Sequence, residues 1–189
     1  MKRVTKIVIG VVAALVVVVV GCVLLCMYYM MSGPNLAKYE SLKEPRISTI
    51  QNQKMLVVEA KGDPNVVGAK AFGLLFRLYF KTKGTPKSFK PPAPRARWPV
   101  ALDAPKTEWV GLYAMPVPEA AAELPPYDAA PEFKVSLTTW EYGEVAEILH
   151  IGPYDQEQPT VARLKEFIKA QGYETFGAHE EEYLKGPTM

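Results

Sequence analysis

Cysteine is nearly missing from this chain. Both copies, Cys22 and Cys26, fall inside one apolar run near the N-terminus. Beyond that run there is none, so neither a disulfide framework nor a thiol nucleophile is expected there. Histidine is equally scarce, with only His150 and His179. No grouping of His, Cys and Asp has metal-ligand spacing. No metal and no cofactor is therefore expected. A phosphate-binding loop, a dinucleotide fingerprint and a Ser-His-Asp pattern are absent as well. An excess of charge is also lacking. The formal net charge is +2, and Lys2, Arg3 and Lys6 stand ahead of everything else, so the remainder is close to neutral. A neutral domain excludes nucleic acid as the main partner.

Charge is absent altogether from residues 7–31, which are mostly Val, Leu, Ile, Ala and Met. About 20 apolar residues cross a hydrocarbon core, and in lipid such a run must be helical. The sequence therefore predicts a transmembrane helix over 7–31. Basic residues 1–6 lie on the cytoplasmic side and the rest of the chain outside, by the positive-inside rule. Tyr28 and Tyr29 fall near the outer interface. A cleaved signal peptide is the rival reading. Its lipoprotein form would use Val19-Val20-Gly21-Cys22, although the chain stays apolar after Cys22.

Polar residues 32–53 read as a stalk, and 54–187 as one domain. Within it, 54–60 is a short apolar strand that ends at Gly62-Asp63-Pro64. Residues 66–80 have helical periodicity, interrupted by Gly68 and Gly73, which weaken the helix or allow close packing. Lys81, Lys83, Lys87, Lys90, Arg95 and Arg97 alternate with prolines and read as a solvated loop. Strands are expected at 98–102 and 108–115, then a Pro/Ala-rich connector at 116–131. Further strands are expected at 133–140, 145–150, 173–176 and 180–184. A helix at 159–171 has Pro159 in its first turn and Gly172 at its C-terminal cap.

The order strand, Gly-Pro turn, helix, strand, strand occurs twice, in modules at about 54–116 and 133–187. Two such modules make an α+β domain, an antiparallel sheet with helices on one face. A ligand would sit in the crevice between them.

The second module resembles the GyrI-like small-molecule-binding domain, also called the bacterial effector-binding or SHS2-duplication fold. The resemblance rests on Leu149-His150-Ile151-Gly152-Pro153-Tyr154, on the helix ending at Gln171-Gly172-Tyr173, and on Glu181-Glu182-Tyr183-Leu184. It implies an aromatic-walled pocket between modules, with Glu181 reaching into it. Relatives include effector domains of multidrug-sensing regulators, hydrolases of cyclopropane-bearing genotoxins and membrane-anchored reticulophagy receptors. With no helix-turn-helix before the domain and no long tail after it, the regulator and receptor roles are not carried over.

Glu181 and Tyr183 are two apart on a strand and share a face, which leaves Glu180 and Glu182 on the solvated one. A carboxylate in an apolar pocket is stabilised by a cationic ligand, because burial alone opposes its charge. The same burial favours the protonated form, which suits acid–base catalysis. The ligand-binding candidates are thus Glu181, Tyr183, Tyr113, Trp140 and Tyr154. His150 reads as structural. The leading expectation is a membrane-anchored binder of an amphipathic or cationic small molecule. A hydrolase using Glu181 and an envelope interaction domain are the alternatives, the latter with no protein partner identified.

Overall fold

The computed structural model describes residues 17–28, 36–87, 91–99, 105–128 and 131–185. The chain divides into two units, Met1–Asn35 and Leu36–Met189. In the first, residues 17–28 form helix α1. Its apolar side chains are exposed, Val17 by 70% and Leu25 by 68%. Among the described residues no helix is long and apolar enough to cross a membrane. The rest of the expected span, 7–16 and 29–31, lies outside the described residues.

In the second unit, β2 (Gln53–Lys61) is an interior strand, with Met55, Leu56, Val57, Val58 and Ala60 buried. A strand covered on both faces carries a continuous apolar run, as this one does. Asp63 ends the following turn by accepting the Asn65 N–H at 2.9 Å. Pro64, with no N–H to satisfy, opens α2 (Pro64–Lys81). The helix therefore starts two residues before its expected bound. It buries Gly68, Ala71, Leu74, Leu75, Leu78 and Tyr79, a stripe at three- and four-residue spacing. Thr82 and Thr85 hydroxyls donate to the Leu78 and Tyr79 carbonyls and close its last turn.

The strands β3 (Arg95–Trp98), β4 (Val110–Pro116), β5 (Phe133–Trp140) and β7 (His179–Glu182) join β2 in a five-stranded sheet ordered β5-β2-β4-β3-β7. Every pairing is antiparallel. Helix α2 packs on β2 and β4. Val135, Val58, Tyr113, Ala96 and Glu181 stand in one cross-strand row on the helix side. The other face carries Met55, Val57, Ala114 and Trp140.

Several expectations are corrected. Residues 36–53, read as a stalk, hold a 3-10 turn at Leu36–Leu42 and strand β1 (Arg46–Ile50). Strand β1 pairs with β6 (Gly143–Glu147) in a separate two-stranded sheet. Its polar residues pair across the ladder, since Arg46 and Ser48 both reach Glu147, at 2.9 and 2.7 Å. Of the expected strand at 98–102, residues 100–102 lie outside the described residues, and the strand that includes Trp98 starts within the supposed basic loop, at Arg95. Arg95 and Arg97 can enter a strand because glutamates of β7 neutralise them.

The second module is incomplete beside the first. Residues 173–176 form no strand, and β7 pairs with β3 of the first module. Helix α3 (Gln158–Ala170) holds its apolar face, Val161, Leu164, Phe167 and Ile168, only half-buried. Arg163 fastens this helix to the Lys43 carbonyl at 3.0 Å and to the Glu44 carboxylate.

Candidate functional site

Glu181 lies on the helix-covered face of β7, where sheet register puts Ala96 beside it and Tyr113 beyond. Ala96 is small, so space remains above it for side chains from neighbouring rows. Trp98 Nε1 donates to Glu181 Oε1 at 2.8 Å. The Tyr183 hydroxyl donates to Glu181 Oε2. His179, two residues back on the same face, brings Nε2 to 3.4 Å from Glu181 Oε1. That contact is close enough for an ion pair but is not aligned as a hydrogen bond.

Aromatic rings wall the carboxylate. Phe72 of α2 meets Tyr113 and Tyr183 edge-on, with centroids 4.9 and 5.4 Å apart. Tyr154 meets Tyr183 at 5.5 Å and donates its hydroxyl to the Lys185 carbonyl. Trp98 bridges Trp109 and Tyr113 at 5.5 and 5.9 Å.

Two glycines make room for Tyr113. A methyl group at Gly68 would stand 3.4 Å from the Tyr113 hydroxyl, so the bare helix backbone comes close to the ring. A methyl at Gly111 would fall 2.6 to 2.9 Å from the Tyr113 ring and hydroxyl. That ring is rigid and buried and must move to admit it. Gly111→Ala is therefore expected to cost about 2 kcal/mol of stability, in the range of overpacked cores. It should also perturb near-ultraviolet dichroism; unchanged melting and spectrum would refute the close fit.

The groups titrate away from their ordinary values for identifiable reasons. Burial opposes charge on Glu181, but the neighbouring His179 imidazole, with the Tyr183 and Trp98 donors, holds its pKa below the usual carboxylate range. This reverses the expectation of a protonated acid. Glu181 in turn raises His179 against the effect of burial. Glu157 is pushed up by burial and then by Glu181. Tyr183 rises strongly through burial and its carboxylate neighbour. Tyr113 is pushed up to about 12 by burial, Glu181 and Asp63.

Tyr113 is 2% exposed, yet its hydroxyl has no hydrogen-bond partner. An orphaned buried hydroxyl costs about 1–3 kcal/mol. Tyr113→Phe is accordingly expected to raise stability by about 1 kcal/mol. In the native protein, the stability Tyr113 contributes is complete below pH ~10, the unfolded value. It is lost as pH rises through about 12, its value in the fold. The variant's unfolding curve should lose that alkaline component. A lower melting temperature in the variant at pH 7 would show that the hydroxyl is satisfied.

The structure brings Glu181, Tyr183, Tyr113 and Tyr154 together. Trp140 lies elsewhere, on the opposite sheet face with Met55, Val57 and Ala114. The Arg97 guanidinium covers it at 4.1 Å. Alternation along β5 sets it there, since Phe133, Val135 and Leu137 take the helix side and Trp140 stands an odd three residues beyond Leu137. Glu180 and Glu182, expected in solvent, pair with arginines: Glu180 with Arg97 at 2.7 Å, Glu182 with Arg95 at 3.0 Å. Tyr142 donates to Glu180 at 2.9 Å.

Sequence reasoning missed Trp98, Phe72, His179 and Glu157. Only His179 carried a usable signal, its spacing of two from Glu181. His150 keeps its structural reading. Its Nε2 donates to the Pro153 carbonyl at 3.0 Å and its Nδ1 accepts from Thr160 at 2.9 Å. Gly152, at φ 155°, lets the chain fold over the imidazole, where a side chain would be strained. A separate depression of about 170 Å³ lies along α2, lined by Leu74, Arg77, Leu78, Lys81, Tyr127 and Asp128. It includes none of the residues around Glu181.

The family described as GyrI-like small molecule binding domain matches residues 43–188. No curated protein matches the sequence. Among solved structures, an uncharacterized conserved protein from Listeria innocua aligns with TM-score 0.59 at 18% identity, covering 80% of this chain and 90% of that one. A hydrolase from the same organism aligns with TM-score 0.56 at 17% identity, over 80% of this chain and 90% of its own. At such identities the likeness is one of fold.

Proposed function

Because the chain belongs to the GyrI-like small-molecule-binding family, we propose that it binds an amphipathic, cationic small molecule against Glu181. The carrying observation is an ionised carboxylate held among Trp98, Tyr183, Tyr113, Phe72 and Tyr154. A cation gains from the carboxylate and from ring faces together, more so out of water. The apolar part of the ligand meets the rings. The orphaned Tyr113 hydroxyl offers a donor to a polar group of the ligand. Trp98 supplies the readout, since its indole donates directly to the carboxylate. Titration of the full chain with lipophilic quaternary ammonium and phosphonium ions should give saturable quenching of tryptophan fluorescence. A flat response across the panel sinks the reading.

The same proposal places residues 7–31 in a membrane, the N-terminus in the cytoplasm and the binding domain outside. It is supported by the charge-free sequence of that run and by the exposed apolar side chains of 17–28. The protein should then stay with membranes through alkaline carbonate extraction, and deletion of residues 1–31 should release it. Retention of the truncated chain would count against the anchor. The mass of the mature N-terminus separates an intact anchor from a lipoprotein cut before Cys22.

A second reading, hydrolysis of a strained or electrophilic small molecule, is favoured by the Tyr183–Glu181 hydrogen bond and by the fold shared with the Listeria innocua hydrolase. In that case Glu181 acts first as a base, since it is held ionised. Product release with multiple turnovers distinguishes this reading from stoichiometric binding.

A further inference from the structure

Glu157, His179 and Glu181 each present one ligand atom, and these atoms lie within 4.8 Å of one another. Two are carboxylate oxygens and one an imidazole nitrogen, a donor set suited to a borderline cation. The distance between His179 Nε2 and Glu181 Oε1 is 3.4 Å. Two donors bound at about 2.1 Å to one tetrahedral ion stand about 3.4 Å apart, so that contact has the length of a coordination edge. A direct hydrogen bond would be shorter and aligned, and this one is not, which leaves Nε2 buried and without a hydrogen-bond partner.

The surroundings match those of a bound ion as well. Ligating carboxylates are themselves commonly fixed by outer hydrogen bonds, and Glu181 is fixed by Trp98 and Tyr183. All three donors are half-buried. Two carboxylates with a neutral imidazole carry two negative charges, which one divalent cation cancels.

We propose that Glu157, His179 and Glu181 form a zinc site with a fourth position open to solvent or ligand. Linear spacing does not reveal it, because Glu157 comes from the turn ahead of α3 and the other two from β7. The proposal shares Glu181 with the organic-cation reading but does not depend on it.

The full chain, purified in a mild detergent and stripped with a chelator, should be titrated with Zn²⁺ alone by calorimetry. One ion per chain is expected, with a rise in melting temperature. Glu157→Gln and His179→Ala should each weaken binding at least about 100-fold, beyond the 10–100-fold typical of outer-shell changes. Circular dichroism checks that His179→Ala folds. Should it not, Glu157→Gln, altered in a half-buried turn, decides alone. Absence of stoichiometric zinc binding in the wild type, or equal binding by a folded variant, overturns the site. Failure to bind zinc leaves the organic-cation reading standing. Failure of the organic panel leaves the zinc result intact.

Discussion

Glu181→Gln is expected to weaken cation binding by roughly 100-fold or more, which erases saturable quenching at accessible ligand concentrations. The size follows from removing the charged partner of a desolvated pair, worth about 2–5 kcal/mol. The amide keeps the carboxylate's shape and still has an oxygen to accept from Trp98, now at 2.8 Å. Folding should therefore survive, and the loss should fall on the ligand alone. The variant's melting temperature and its affinity for a neutral analogue of the same shape serve as controls. An equal affinity for the cation in both proteins would mean that the rings hold the ligand without the charge.

The other large effect is expected on the reverse side of the same strand. Glu180 accepts from Arg97 at 2.7 Å and Tyr142 at 2.9 Å, with Arg95 at 3.4 Å. Glu180→Ala leaves two guanidinium groups short of a partner on a half-buried face. Fully buried pairs broken in this way cost about 3–5 kcal/mol. The Glu180 side chain is 21% exposed, so solvent recovers part of that and about 2–3 kcal/mol remains. For a unit of this size the melting temperature should fall by about 5–10 °C. Glu180→Gln, which keeps an acceptor, should lose about half as much. A surface-like loss below about 0.5 kcal/mol would show that these arginines do not fasten β7.

The sequence made α2 and β5 legible because one physical pattern dominated each. Helix α2 has an apolar stripe at three- and four-residue spacing, a cap at Asp63 and a proline in its first turn. Strand β5 alternates through Phe133, Val135 and Leu137, and its bounds match those expected. Strands β1 and β3 were obscured by charge. Arg46, Arg95 and Arg97 look like solvent-facing residues until their glutamate partners appear 101 residues away for Arg46 and 83 for Arg97. Such pairing is tertiary, and local composition does not encode it.

The site divides along the same line. Alternation on β7 separated Glu181 and Tyr183 from Glu180 and Glu182, because period two is a property of any strand. Trp98, Phe72 and Glu157 come from three other elements, and sheet register with helix docking brings them in. Trp140 was misplaced although alternation along β5 puts it opposite Val135 and Leu137. The ionisation of Glu181 also escaped, since burial alone predicts protonation and only the donors around the carboxylate reverse it.

Strand β7 belongs to the second module by sequence but completes the sheet of the first by pairing with β3. During synthesis, β2, α2, β3 and β4 emerge and can assemble while β3 is still an open edge. Trp98 then waits for an acceptor 83 residues further along the chain. A nascent chain interrupted after Pro116 but before His179 has the pieces of a first layer, a bare strand edge prone to pairing with other chains, and no Glu181. On the proposed reading, completeness of the polypeptide is a precondition of ligand capture. Glu180, which pairs with Arg97 across that edge, is next to Glu181, the residue proposed to receive the ligand.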